Sequence, residues 1–160
     1  MAKSWTKGRS QSFTELSNPT GRGKPAGNAC PASVFCEEIG MEVVARNHCL
    51  PFTTEDGSEI RELLAHRNSS IRNQSLAEAT LREGQSTRTH YHPKAEEIYY
   101  ILRGEGRMKI RGEERRVGPG DAIAIPAGAP HQICHQGRGD LVFLCCCAPG
   151  YEPDDVVFTE

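Results

Sequence analysis

No run in this chain of 160 residues approaches the roughly 18 consecutive apolar residues that span a bilayer. The N-terminus also lacks the apolar core of an export signal, which places the protein in the cytoplasm in this reading. Charge of one sign is not in excess: 19 basic and 21 acidic residues leave a formal charge of -2. That balance gives no reason to expect a nucleic-acid partner or an anionic membrane surface. C-x-x-C spacing is missing, and the seven cysteines are an odd number without an export signal, so they read as reduced thiols. No helix-turn-helix or other effector unit is evident. What remains is a soluble protein of one domain's length, with room for a tail.

That tail is residues 1–40. It is rich in Ser, Thr, Gly, Asn and Pro, carries Lys3, Lys7, Arg9, Arg22 and Lys24, and has too little apolar surface to build a core. It reads as a disordered or loosely packed extension, with a folded domain over residues 41–160. Met41 stands where folded character begins and is a candidate second start of translation. Glu42, Val43 and Val44 alternate as a strand would. Ser58 to Ala65 fits either one helical face (Ile60, Leu63, Leu64) or a strand (Ile60, Glu62, Leu64), and pattern leaves the two open.

Beyond Asn73 the chain is a succession of short strands and turns. The expected strands are Asn73–Leu81, Thr87–His92, Glu97–Leu102, Gly106–Arg111, Glu114–Val117, Asp121–Ile125, His131–His135 and Leu141–Cys147. A hairpin turn falls around Gly112, and further turns at Gly118–Gly120 and Gln136–Asp140. A turn at Pro153–Asp155 precedes a last strand, Val156–Phe158. With no helical segments between them, these strands indicate an all-β antiparallel sandwich or barrel. The Cys145–Cys147 triple reads as part of a core strand, because alternation sends Cys146 to the face opposite its neighbours. Arg103, Arg107, Lys109, Arg111, Arg115 and Arg116, interspersed with glutamates, read as a solvated face.

The chemistry concentrates in two stretches, Gly84–Gly104 and Gly120–His131. Side chains two apart on a strand share a face, so His90 and His92 can hold one ion. A third donor is needed, and the turn Pro93-Lys94-Ala95 leads to two candidates, Glu96 and Glu97. Downstream, Pro126-Ala127-Gly128 forms a tight turn that delivers His131 inward together with Ile133 and His135. Tyr99 shares the strand face of Glu97. His135 and Tyr99 are the weaker, catalytic candidates, each set against an ordinary role in packing.

These stretches resemble the paired signatures of the cupin superfamily. Gly84, His90, His92, Glu97 and Gly104 match the first pattern throughout, and its spacing to Gly104 selects Glu97 over Glu96. Gly120, Pro126, Gly128 and His131 match the second, but His135 stands where the pattern has Asn. The resemblance implies a double-stranded β-helix, or jelly-roll barrel, with a metal ion held inside by His90, His92, Glu97 and His131. It also implies a homodimer. Three imidazoles and one carboxylate leave two positions of an octahedron open, which favours Mn²⁺ or Fe²⁺ while also suiting Zn²⁺ or Ni²⁺ by ligand type.

Similarity to small, sugar-phosphate-isomerase-like cupins makes aldose–ketose isomerisation of a small polar substrate the leading expectation for function. An Fe²⁺- or Mn²⁺-dependent dioxygenase or oxalate-type reaction, and non-catalytic binding of a small ligand, are the alternatives.

Overall fold

Short strands with one apolar face cannot bury that face singly; two sheets laid face to face can. The protein, a computed structural model describing residues 40–159, folds this way. The expected extension over residues 1–40 lies outside the described residues but for its last position. The strands are β1 (Phe52–Thr53), β2 (Glu59–Leu64), β3 (Ser75–Leu81), β4 (His90–Tyr91), β5 (Glu96–Arg103) and β6 (Glu105–Ile110). They continue as β7 (Glu113–Val117), β8 (Ala122–Ile125), β9 (His131–Gln136), β10 (Leu141–Ala148) and β11 (Val157–Phe158).

One sheet has the order β1-β2-β3-β10-β5-β8 and the other β11-β4-β9-β6-β7. The pairings are antiparallel. This is the all-β jelly roll that the resemblance implies. Among the described residues no helix is long and apolar enough to cross a membrane.

The inner faces meet in a core that includes Leu81, Ile101, Ile133, Leu141 and Phe143, each at most 1 % exposed. Alternation accounts for it: in β5, Glu97, Tyr99 and Ile101 point inward while Glu96, Ile98, Tyr100 and Leu102 point out. The β6–β7 hairpin turns on two residues, Arg111 and Gly112, both with positive φ (49° and 87°), the backbone that matches the twist of a two-residue hairpin. Its basic residues stay solvated and pair across the strands, Lys109 and Arg107 each 3.7 Å from Glu114.

Several expected elements form differently. The ambiguous stretch from Ser58 is the strand β2, because β1 and β3 offer it ladder partners on both edges. Glu42–Val44 is not a strand. Among the described residues no neighbour pairs with it, and side chains hold the segment instead: Glu42 accepts from the Ser70 N–H at 2.8 Å, and Arg46 forms a two-pronged ion pair with the buried Glu78. The expected strand Thr87–His92 shrinks to His90–Tyr91. Thr87 is buried and exchanges hydrogen bonds with Ile133, its N–H to the carbonyl at 3.0 Å and its hydroxyl accepting from the Ile133 N–H at 3.1 Å. The last strand starts one residue late, after a 3₁₀ turn over Pro153–Asp155.

Gly104, which closes the first motif, sits between β5 and β6 at φ +79°, where a Cβ would lie 2.5 Å from the Asp140 carbonyl oxygen and 2.8 Å from the Leu141 Cα. Gly84 has the same φ with nothing within 4 Å of the Cβ position. Gly104→Ala is therefore expected to cost about 2–4 kcal/mol, from backbone strain plus overpacking, and Gly84→Ala only about 1 kcal/mol. Urea unfolding of the two variants checks the order.

Candidate metal centre

The polar cluster forms where the chain passes from one sheet to the other. His90 on β4 is directly paired with His131 on β9, which brings their rings to 4.3 Å between centroids. His92 follows just beyond β4, edge-on to His90 at 5.3 Å. The chain then turns through Pro93–Ala95 and enters β5 in the opposite sheet, where Glu97 points inward and Glu96 outward. The Pro126–Gly128 turn sits against this crossing, with the Gly128 N–H donating to the His92 carbonyl at 2.7 Å. His90, His92, Glu97 and His131 are all buried, and one ligand atom from each lies within 4.8 Å of the others.

Each imidazole is held by its Nδ1 on a backbone carbonyl: His90 on Arg88 at 2.8 Å, His92 on Asp155 at 3.1 Å and His131 on Ala129 at 3.0 Å. A carbonyl can only accept, so Nδ1 carries the proton in all three and the neutral rings turn an Nε2 lone pair into the cluster. Glu97 Oε2 sits 3.4 Å from Nε2 of both His92 and His131. Oε2 and His131 Nε2 are buried without a hydrogen-bond partner among the described residues. Lone pairs facing a carboxylate repel it unless a positive charge lies between, and unpaired buried polar atoms are costly. Donors at roughly 2.0–2.2 Å from a shared ion are at most about 4.4 Å apart, so only a small contraction fits the four donors to one divalent ion.

A proton is the other charge that can fill this gap. Burial pushes the Glu97 carboxyl up, yet its contacts with His131 and His92 outweigh burial and hold it down at about 2. Burial likewise pulls His92 down, but Glu97 and the Asp155 carbonyl raise it above the usual histidine value. His90 goes the other way, lowered by burial and by His131. Below that raised value the metal-free cluster carries a proton on His92 that an incoming ion must displace.

Sequence reasoning missed three neighbours. Asp155 is buried, and its carboxylate accepts the N–H groups of Ala95 at 3.0 Å and Lys94 at 3.2 Å while its carbonyl holds His92. Cys147, directly opposite Glu97 in the β5–β10 ladder, donates its thiol to Glu97 Oε1 at 3.4 Å, leaving Oε2 for the cluster. Burial and the Glu97 charge push that thiol far up, so it stays a donor. Tyr151 faces His92 across a cavity of about 520 Å³ that opens onto the cluster. These residues lie 50 or more positions from the groups they hold, where no local pattern links them.

Of the two catalytic candidates, Tyr99 lines the cavity, its ring 5.9 Å from His131 and 4.7 Å from Phe143. His135 shares the inward face of β9 but does not line the cavity. Its Nε2 donates to the Gly139 carbonyl and its Nδ1 accepts the Gly84 N–H at 3.4 Å, bracing two turns. Of the cysteine triple, Cys145 and Cys147 face the cavity, and Cys146 faces out, opposite Ile98 in the ladder.

A family model described as the cupin domain matches residues 77–147. The chain is 44% identical over 110 residues to an uncharacterized protein of Methanocaldococcus jannaschii, covering 69% of this chain and 88% of that one. It is 28% identical over 101 residues to the tetracenomycin polyketide synthase protein TcmJ of Streptomyces glaucescens, covering 63% and 64%. A shorter match, 35% over 65 residues, joins it to a glucose-6-phosphate isomerase of Thermococcus gammatolerans, of which it spans 34% against 36% of its own length. Among solved structures, a predicted oxalate decarboxylase from Thermotoga maritima superposes with a TM-score of 0.62 at 28% identity, covering 68% of this chain and 99% of that one.

Two outcomes follow from the cluster. Cys147→Ala, which frees Glu97 Oε1, is expected to weaken Mn²⁺ binding by about 10-fold, and Cys147→Ser, which keeps a donor, by less; competition titration with a chelating dye measures both. Because the raised His92 value means its proton is bound more tightly when folded, the protonated form stabilises the metal-free protein below the unfolded value and that contribution is lost as pH rises through the folded one. Mn²⁺ affinity should therefore fall by up to about 10-fold per pH unit as pH drops below the His92 value, and the loss should be shallower in His92→Gln.

Proposed function

This chain belongs to the cupin family, and from that premise we propose that it is a metal-dependent enzyme in which His90, His92, Glu97 and His131 hold one divalent ion beneath a small-molecule cavity. The observation that carries this reading is the set of three imidazoles locked by Nδ1 on carbonyls around a carboxylate oxygen that has no hydrogen-bond partner among the described residues. All-nitrogen and oxygen donors favour Mn²⁺ or Fe²⁺, with Zn²⁺ and Ni²⁺ compatible by ligand type. When bound, such an ion supplies Lewis acidity, which acidifies a C–H beside a carbonyl.

The reaction class this supports is proton transfer between neighbouring oxygen-bearing carbons, of which aldose–ketose isomerisation is one form. Burial keeps the Tyr99 hydroxyl protonated far above its usual range and pushes Tyr151 up to about 12. Both therefore act as neutral donors to a substrate oxygen across the working pH range. Cys147 orients Glu97, and Phe143 and Phe158 exclude water from the cavity floor and wall. The names of the relatives point to different reactions, a polyketide synthase protein, a sugar-phosphate isomerase and a predicted oxalate decarboxylase. Those names agree on no single activity, and the metal-dependent reading rests on this chain's own donor set.

A homodimer fits the outer face of the larger sheet. Ile98, Tyr100 and Leu102 are 41–49% exposed there, and Ile98 and Tyr100 are flanked in the ladder by Cys146, Leu144, Ala124 and Ala122. A flat apolar face of this kind is self-complementary about a two-fold axis. Ile98→Glu with Tyr100→Glu should shift the mass in light scattering from two chains to one.

Glu97→Gln should lower Mn²⁺ affinity by about 100-fold or more, read by the free-Mn²⁺ signal in electron paramagnetic resonance, while the far-ultraviolet spectrum keeps its strand content. Turnover of a substrate found by metabolite screening of Mn²⁺- and Fe²⁺-loaded protein should fall with it and proceed unchanged without oxygen. Activity that stops under anaerobic conditions would replace proton transfer with dioxygen chemistry. Full activity in Glu97→Gln would remove the metal-dependent reading.

A further inference from the structure

Each charged side chain of the cavity wall already has a partner, although among the described residues its carboxylates outnumber its one guanidinium. Glu97 belongs to the cluster. Glu62 takes the Arg67 guanidinium at 2.6 Å, and Arg67, the one lining Lys or Arg among the described residues, also reaches Glu152 and the Tyr151 carbonyl, each at 3.2 Å. Glu55 pairs with Arg88 at 3.3 Å, and the Arg88 guanidinium lies 4.0 Å over the Phe158 ring. Asp56 Oδ1 accepts from the Thr54 hydroxyl, the Ser58 hydroxyl and the Ser58 N–H at 2.5, 2.8 and 3.0 Å. A phosphorylated sugar would find acids in the wall and its single guanidinium already shared by two carboxylates; an organic cation would find those carboxylates occupied.

The rest of the wall is apolar and aromatic, with Phe52, Ile60, Ala79, Phe143, Val156 and Phe158 facing the space, and its polar points are neutral. The Tyr99 and Tyr151 side chains and the Cys145 thiol complete the lining, and thiols pack well against rings. A volume of about 520 Å³ is in the range that encloses a drug-sized molecule.

We propose that the substrate of this site is an uncharged aromatic or fused-ring molecule carrying adjacent oxygen substituents, its ring body against the phenylalanine wall and its oxygens toward the histidine–glutamate cluster. This rests on the metal-dependent reading for the direction of the oxygens, and on the cavity alone for the ring. It departs from the sugar-phosphate substrate expected from the sequence resemblance. Selectivity follows from desolvation: a dianionic phosphate entering this wall loses its water without gaining an unshared cation, whereas a neutral ring gains from burial.

The test is titration calorimetry on the full chain, metal-free and Mn²⁺-loaded, with 2,3-dihydroxynaphthalene, glucose 6-phosphate and phenyltrimethylammonium as probes. Mn²⁺ loading is read independently by electron paramagnetic resonance. The naphthalene diol should bind the loaded protein at least about 10-fold more tightly than either charged probe, and should still outrank them on the metal-free protein. Phe52→Asp, at the half-exposed rim, and Phe158→Ala should each loosen it by about 5-fold or more, with the fold checked by circular dichroism. Tighter binding of glucose 6-phosphate or of the ammonium probe overturns the proposal, as does diol binding unaffected by both substitutions. Failure to take up Mn²⁺ sinks the metal-dependent reading instead, and the ranking on metal-free protein still decides the substrate class.

Discussion

The site depends on how the chain crosses between its two sheets at Pro93–Ala95. Three imidazoles belong to one sheet or its edge, and the carboxylate belongs to the other, so the cluster exists only if that crossing is held. Asp155, itself buried, holds it by accepting the Lys94 and Ala95 N–H groups, the second of which lies on a buried residue. The same residue's carbonyl fixes the tautomer of His92. Phe158, directly paired with His90 in the β11–β4 ladder, lines the cavity wall. The last residues of the fold thus position the residues that carry its chemistry.

Around that crossing, electrostatics and burial oppose each other in a useful way. Burying Glu97 is unfavourable for its charge, and the histidines reverse this only by contributing a proton or leaving room for a cation. An apolar cavity beside the cluster lowers the local dielectric and strengthens both options. It also sets the Tyr99 ring against His131 and the Tyr151 ring against His92. Among the described residues the wall's carboxylates outnumber its one guanidinium, but each is engaged by an ionic or hydrogen-bond partner within largely apolar surroundings.

Much of this was legible in local pattern. Period-two alternation placed His90 with His92 and separated Glu97, Tyr99 and Ile101 from Ile98 and Tyr100. Motif spacing chose Glu97 over Glu96, and the outward orientation of Glu96 in β5 agrees. Gly104 is required by a carbonyl 2.5 Å from where its Cβ would lie. Pattern was weaker wherever an element takes its conformation from a distant neighbour. Glu42–Val44 alternates but has no strand to pair with, and Thr87 gives up strand geometry for hydrogen bonds with Ile133. The parity of His135 was read correctly, yet parity does not say how far along the barrel a side chain sits, and both its ring nitrogens serve turns.

The amino-acid sequence by itself determined the all-β class, the turns and the pairing of His90 with His92, because alternation and glycine backbone freedom act over a few neighbouring positions; Glu97 and the complete four-residue set came from motif spacing that resembles the cupin family. Tertiary structure alone decided that Cys147 orients Glu97, that Asp155 locks the crossing and that Tyr151 and Phe158 close the cavity. Those relations join residues 50 or more positions apart, and only the pairing of β5 with β10 and of β11 with β4 brings them within reach.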